Sequence, residues 1–120
     1  MTITRFVALA AVAASIPVAS MAQDAEVRFW LKQNPNNITG CIGFPQFTRE
    51  HTFILKDGQA SITSPGGINT KLALVRPNVY QETVALGRVN AVVVADLAAT
   101  PKKLTVTDAN MGCGWSAVKE

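Results

Sequence analysis

Alternation of apolar and polar positions runs through the chain from residue 27 to its end. At 27–31, Val27, Phe29 and Leu31 share one face of an extended segment and Trp30 takes the other. Residues 49–56 repeat the pattern, with His51, Phe53 and Leu55 opposed by Ile54. Asp57-Gly58 then predicts a two-residue hairpin, because both positions tolerate positive φ. The returning strand at 59–63 places Ala60 and Ile62 inward and Ser61 and Thr63 outward. After Ser64-Pro65-Gly66-Gly67, a turn, the segment 68–75 sets Ile68, Leu72 and Leu74 in phase. Arg76-Pro77-Asn78 breaks it. Residues 79–86 follow, with Tyr80, Glu82, Val84 and Leu86 in phase, and Gly87-Arg88 turns the chain again.

Residues 89–97 are apolar on both faces, with Val89, Ala91, Val93 and Ala95 opposed by Val92 and Val94. This pattern predicts the most buried strand. Leu104 and Val106 alternate with Thr105 and Thr107, and Met111, Cys113, Trp115 and Ala117 share a face of the closing strand. The segment 39–44, carrying Cys41, predicts a short strand or irregular ribbon that Pro45 ends. No long helical period occurs, and turns recur about every ten residues. The expectation is an all-β chain: a small antiparallel barrel or sandwich of about eight strands, mostly a meander. A barrel would also remove exposed strand edges.

The first 22 residues lie outside this pattern. Met1 to Arg5 is weakly basic, residues 6–18 are apolar and alanine-rich, and Ser20-Met21-Ala22 offers the small residues that precede a cleavage site. The expectation is a signal peptide at 1–22, cleaved after Ala22, and a single secreted β domain at 23–120, periplasmic or extracellular. The apolar run is too short for a membrane-spanning helix. The formal charge of +3 is spread thinly, and Arg5 supplies one unit of it. A scattered charge in an exported chain argues against a nucleic-acid partner, which needs a clustered basic stripe.

Export changes the reading of the two cysteines. In an oxidising compartment Cys41 and Cys113 predict one intrachain disulfide. It would tie the last strand to an early segment and restrict the unfolded chain, contributing about 4 kcal/mol. A small domain has a modest core and gains most from such a staple.

No chemical motif stands out. His51 is the single histidine. It sits in a strand beside Glu50 and Thr52, which point to the opposite face and cannot orient its ring. A base would need a carboxylate from another strand, and Asp57, Glu82, Asp96 and Asp108 are the choices. Asp96 and Asp108 themselves read as turn formers and solubilising residues at strand ends. One histidine and two distant cysteines make no metal site, and the glycine-rich pieces match no phosphate or dinucleotide loop, so no cofactor is expected. Asn37-Ile38-Thr39 reads as a chance match to a glycosylation acceptor.

These observations favour a non-enzymatic binding protein that presents loops to a periplasmic or extracellular protein partner. The candidate loop residues are Gln33, Asn34, Asn36 and Asn37, then Phe44 and Gln46, then Arg76 and Asn78. Small disulfide-tied β barrels that inhibit lysozymes or proteases are similar in fold and size alone. The alternatives are a small-ligand carrier or small enzyme using a pocket of Trp30, His51, Tyr80 and Trp115, and a structural or assembly protein of the cell envelope.

Overall fold

The computed structural model describes residues 23–43, 47–86 and 89–120. The expected leader at 1–22, the loop residues Phe44 and Gln46, and the Gly87-Arg88 turn fall outside these. The strands are β1 (Ala25–Trp30), β2 (Lys32–Gln33), β3 (Glu50–Lys56), β4 (Gln59–Thr63), β5 (Asn69–Arg76), β6 (Val79–Leu86), β7 (Val89–Asp96), β8 (Lys102–Asp108) and β9 (Cys113–Lys119). All neighbours are antiparallel, in the order β1-β3-β4-β5-β6-β7-β8-β9-β2. The sheet curls into a nearly closed barrel, and no α-helix occurs among the described residues.

From β3 to β9 the order is a plain meander, as short turns between alternating segments require. Asp57 and Gly58 both take positive φ (52° and 79°) at the β3–β4 hairpin. That is the conformation the Asp-Gly pair permits at low cost. The barrel interior holds Phe29, Leu31, Phe53, Leu55, Tyr80, Leu104, Val106 and Trp115, all buried. Two ring pairs lie in the core: Phe53 with Tyr80 at 5.4 Å between centroids, and Phe47 with Trp115 at 4.6 Å. Tilted pairs of this kind add about 0.5–1.5 kcal/mol each beyond the area they bury.

Two segments make the corners of the barrel by changing partner along their length. The first is 25–33. β1 pairs with β3 from Ala25↔Leu55 to Trp30↔Glu50. Leu31 then donates its N–H to Arg49 O (3.0 Å). Immediately after, β2 leaves for the far edge, pairing Lys32↔Ser116 and Gln33↔Trp115. The alternation at 27–31 predicts one strand, and these residues stay with β3; the chain then runs on through Lys32 and Gln33, read from the sequence as loop, onto β9, and that closes the barrel. The second corner is β5. Its first half pairs with β4, ending at Leu72↔Ala60, and its second half pairs with β6, beginning at Ala73↔Gln81.

Four expectations need correction. The Cys41 segment is not a strand but a 3-10 turn, Thr39–Gly43. It lies off the sheet, where one turn can aim Cys41 at Cys113. Leu74 reads as inward but is 62% exposed: it stands opposite Tyr80 near the hairpin end of β5, beyond Leu72, the last buried residue of that strand. Strand β7 buries Ala91, Val93 and Ala95 but only half-buries Val92 and Val94, so it is no more buried than β3, which buries His51, Phe53 and Leu55. Asp108 is a turn former, accepting a bond from Asn110 N (3.1 Å) at Oδ1, yet it is 1% exposed rather than a solubilising end residue.

The predicted disulfide is present. Cys41 and Cys113 are bonded across a sequence separation of 72, with Cα atoms 5.6 Å apart.

Candidate functional site

Three features carry potential function: an interior cavity, an outer groove and an exposed hairpin. The cavity has a volume of about 220 Å³ and is bounded by Phe47, His51, Ile62, Thr70, Val84, Val93, Leu104 and Val106, with Ser64, Pro65 and Ile68 at the turn after β4. Its position follows from β5. Only Ala73, Leu74 and Arg76 pair with β6, opposite Gln81, Tyr80 and Val79. Beyond Gln81, β6 continues to Leu86 bonded to β7 alone. A seam is left there, with Thr70 on one side and Val84 on the other, and both line the cavity. Glu82 shares the phase of Tyr80 and Val84, yet it is exposed and its Oε2 accepts from Thr83 N (3.0 Å). A carboxylate in the inward phase reaches solvent here because the wall is open beside it.

Among the described residues His51 is the one ionisable side chain on the cavity wall, and it is 4% exposed. Its Nδ1 lies 3.0 Å from Arg49 O. A carbonyl oxygen only accepts, so Nδ1 carries the hydrogen and Nε2 is left as a lone-pair acceptor. Burial pushes the imidazole below its ordinary pKa, and the bond to the Arg49 carbonyl opposes this more weakly. Neutral imidazole is therefore the form at pH 7. No carboxylate or hydroxyl bonds to it among the described residues.

The four residues expected to share a pocket are dispersed. Trp30 is 58% exposed on the outer surface, since the side chains of β1 alternate and Phe29 and Leu31 hold the inward positions. Tyr80 packs on Phe53 in the filled half of the barrel. Trp115 is fully buried and packs on Phe47, whose ring is the wall between that core and the cavity. Only His51 faces the cavity. Ile62, Val84, Val93 and Val106 give no signal beyond the alternation of any core. The seam between β5 and β6, which makes them cavity residues, depends on the point where β5 exchanges β4 for β6, which the sequence does not mark.

The loop residues divide in the same way. Asn37 donates from Nδ2 to Gly114 O (2.8 Å) and accepts from Gly114 N at Oδ1 (2.9 Å). Its side chain imitates a strand residue and extends the β2–β9 pairing. Gly114 O also accepts from Asn34 N (3.0 Å), and Ser116 Oγ donates to Asn34 Oδ1 (2.8 Å). Gln33 accepts from Asn37 Nδ2 (3.3 Å). Asn34 and Asn37 therefore fasten the loop to β9, and only Asn36 of this group is exposed. Gly114 is required in this clasp, because a Cβ there would come within 2.5 Å of Asn34 Nδ2. Arg76 and Asn78 are exposed at the β5–β6 hairpin, where Asn78 takes φ 62°.

The outer groove lies where β1 and β9 diverge. It has a volume of about 650 Å³ and is lined by Arg28, Trp30, Lys32, Glu50 and residues 116–119. The β1 edge that faces β9 has no strand partner, because β2 takes over the pairing at Lys32. Trp30 and Val118 are exposed across it.

Comparison with protein-family models, with curated proteins and with solved structures finds no match for this chain.

Proposed function

We propose that this chain is an exported, non-enzymatic binding protein that holds a small, mainly apolar molecule in the barrel cavity. The carrying observation is the unfilled space of about 220 Å³ beside a seam in an otherwise packed interior. Barrel mouths and interiors are recurrent ligand sites, walled by apolar side chains with few polar groups. An engineered apolar cavity of about 150 Å³ takes up benzene, so this one has room for a substituted ring or a short branched chain. The disulfide and the leader-like first 22 residues support export.

Filling the cavity tests the reading. Val93→Phe adds a ring where the space already exists. Small aromatic probes titrated against the wild-type protein should shift the amide resonances of Ile62, Val93 and Val106, and Val93→Phe should abolish the shifts while the protein stays folded. Unsaturable or uniformly scattered shifts in the wild type would end this reading.

A second reading, recognition of a protein partner, draws on the exposed Trp30 in its groove. Aromatic and arginine side chains are enriched at interface hot spots, and Arg28 and Trp30 stand together there. Recovery of a specific partner from culture or periplasmic extract, lost on Trp30→Ala or Arg76→Ala but kept on Val93→Phe, would favour this reading over the first.

A further inference from the structure

We propose that the cavity selects neutral ligands bearing one hydroxyl or N–H donor, with His51 Nε2 as the accepting atom, and that it discriminates against carboxylates of the same shape. The inference rests on the ligand-binding reading above and deepens it. The geometry fixes the acceptor. The ring is held at Cγ by β3 and at Nδ1 by Arg49 O (3.0 Å). The free end of the ring is then Cε1, Nε2 and Cδ2, of which Nε2 alone is polar. No hydrogen bond to Nε2 occurs among the described residues.

The remaining wall sharpens the selection. Ile62, Val84, Val93, Leu104 and Val106 offer no polar atom from their side chains. Ser64 and Thr70 are hydroxyls at the turn and the seam, and neither carries a charge. A carboxylate brought into this space would lose its hydration and meet a bare lone pair at Nε2, with no cation among the described residues of the wall to compensate. A phenol, an alcohol or an indole would instead place its donor on Nε2 and its hydrocarbon against the valines. Glu82, exposed beside the open seam, adds repulsion against an entering anion. A plain hydrocarbon fits but leaves Nε2 unsatisfied, which is the asymmetry that lets a buried acceptor discriminate between ligands of equal shape.

The test uses the purified, disulfide-bonded protein at neutral pH and three para-substituted toluenes: p-cresol, its isostere p-xylene, and the slightly larger anion p-toluate. Dissociation constants come from amide shifts of the cavity residues. The expected result is saturable binding of p-cresol, with p-toluate at least about tenfold weaker. On His51→Leu, the preference for p-cresol over p-xylene should fall by about tenfold, the worth of one hydrogen bond. His51→Gln, which keeps an acceptor, should retain part of the preference. If p-cresol and p-xylene bind alike and His51→Leu leaves their ratio unchanged, the acceptor role is overturned while the cavity remains a ligand site. If p-toluate binds as well as p-cresol, the selection against carboxylates is overturned even should His51→Leu fail to fold. If none of the three binds, the ligand-binding reading falls together with this inference.

Discussion

The barrel has two seams, and they are built in opposite ways. Where the first segment meets the last, β2 pairs with β9 over only Lys32↔Ser116 and Gln33↔Trp115, and everything else at that junction is reinforcement. Asn34 and Asn37 clasp Gly114. Cys41 is bonded to Cys113, and Trp115 fills the space beneath. Where β5 meets β6, the pairing is also short, but no covalent bond or side-chain clasp backs it among the described residues. The difference lies in loop closure. β5 and β6 are joined by Pro77-Asn78, so their register comes with the hairpin. Bringing Asn37 to Gly114 joins positions 77 residues apart, and the entropy lost grows with the length of chain closed. Reinforcement gathers where closure is costly, and the lightly held seam is the one beside the cavity.

Removing the support under the first seam should have the largest effect. Trp115→Ala is expected to cost about 3–5 kcal/mol, as for other fully buried large side chains, read as a shift in denaturant midpoint. A loss of only a few tenths would show that the ring does not carry the seam. Reduction of the disulfide should cost about 4 kcal/mol through the freed unfolded chain. The thermal melts of oxidised and reduced protein give this directly, and equal melting temperatures would place the stability of the seam in its hydrogen bonds alone.

Asn37→Ala leaves Gly114 N without its partner and removes one of the two donors to Gly114 O. It should cost about 1–3 kcal/mol and raise hydrogen exchange at Gly114 and Ser116 ahead of β6 and β7. Uniform acceleration would mean that the first seam opens only with global unfolding.

The cavity beside the second seam should respond to acid. Burial lowers the pKa of His51 in the folded protein. The unfolded chain, with a value near about 6.5, therefore binds the proton first. Stability is complete above about pH 6.5, declines as pH falls below it, and levels off once the folded form is protonated. The slope stays under about 1.4 kcal/mol per pH unit for a single group, and His51→Gln should remove it. An unchanged slope in that variant would assign the acid sensitivity elsewhere. The smallest effect is expected at Trp30. With the side chain 58% exposed, Trp30→Ala should change stability by less than about 0.5 kcal/mol, and a larger loss would make the groove part of the first seam's support.

Much of the fold is legible in the residues themselves. His51, Phe53 and Leu55 alternate as an inward face and are one. Asp57-Gly58 names its own turn through the positive φ that both residues accept. The disulfide follows from two cysteines and the expectation of an oxidising compartment. These features are local, or a matter of elimination, and a single chain determines them.

What the tertiary structure decided are the places where a strand changes partner. Nothing in 25–33 marks Leu31 as the point where the chain leaves β3 for β9. Nothing in 69–76 marks the step from Leu72 to Ala73 as the point where β5 exchanges β4 for β6. Partner choice depends on curvature summed over the whole sheet, to which each residue adds only its share of twist. The cavity depends on the same sum. Val84, Val93 and Val106 look like core from their alternation, and only the parting of two strands leaves space between them for His51 to face.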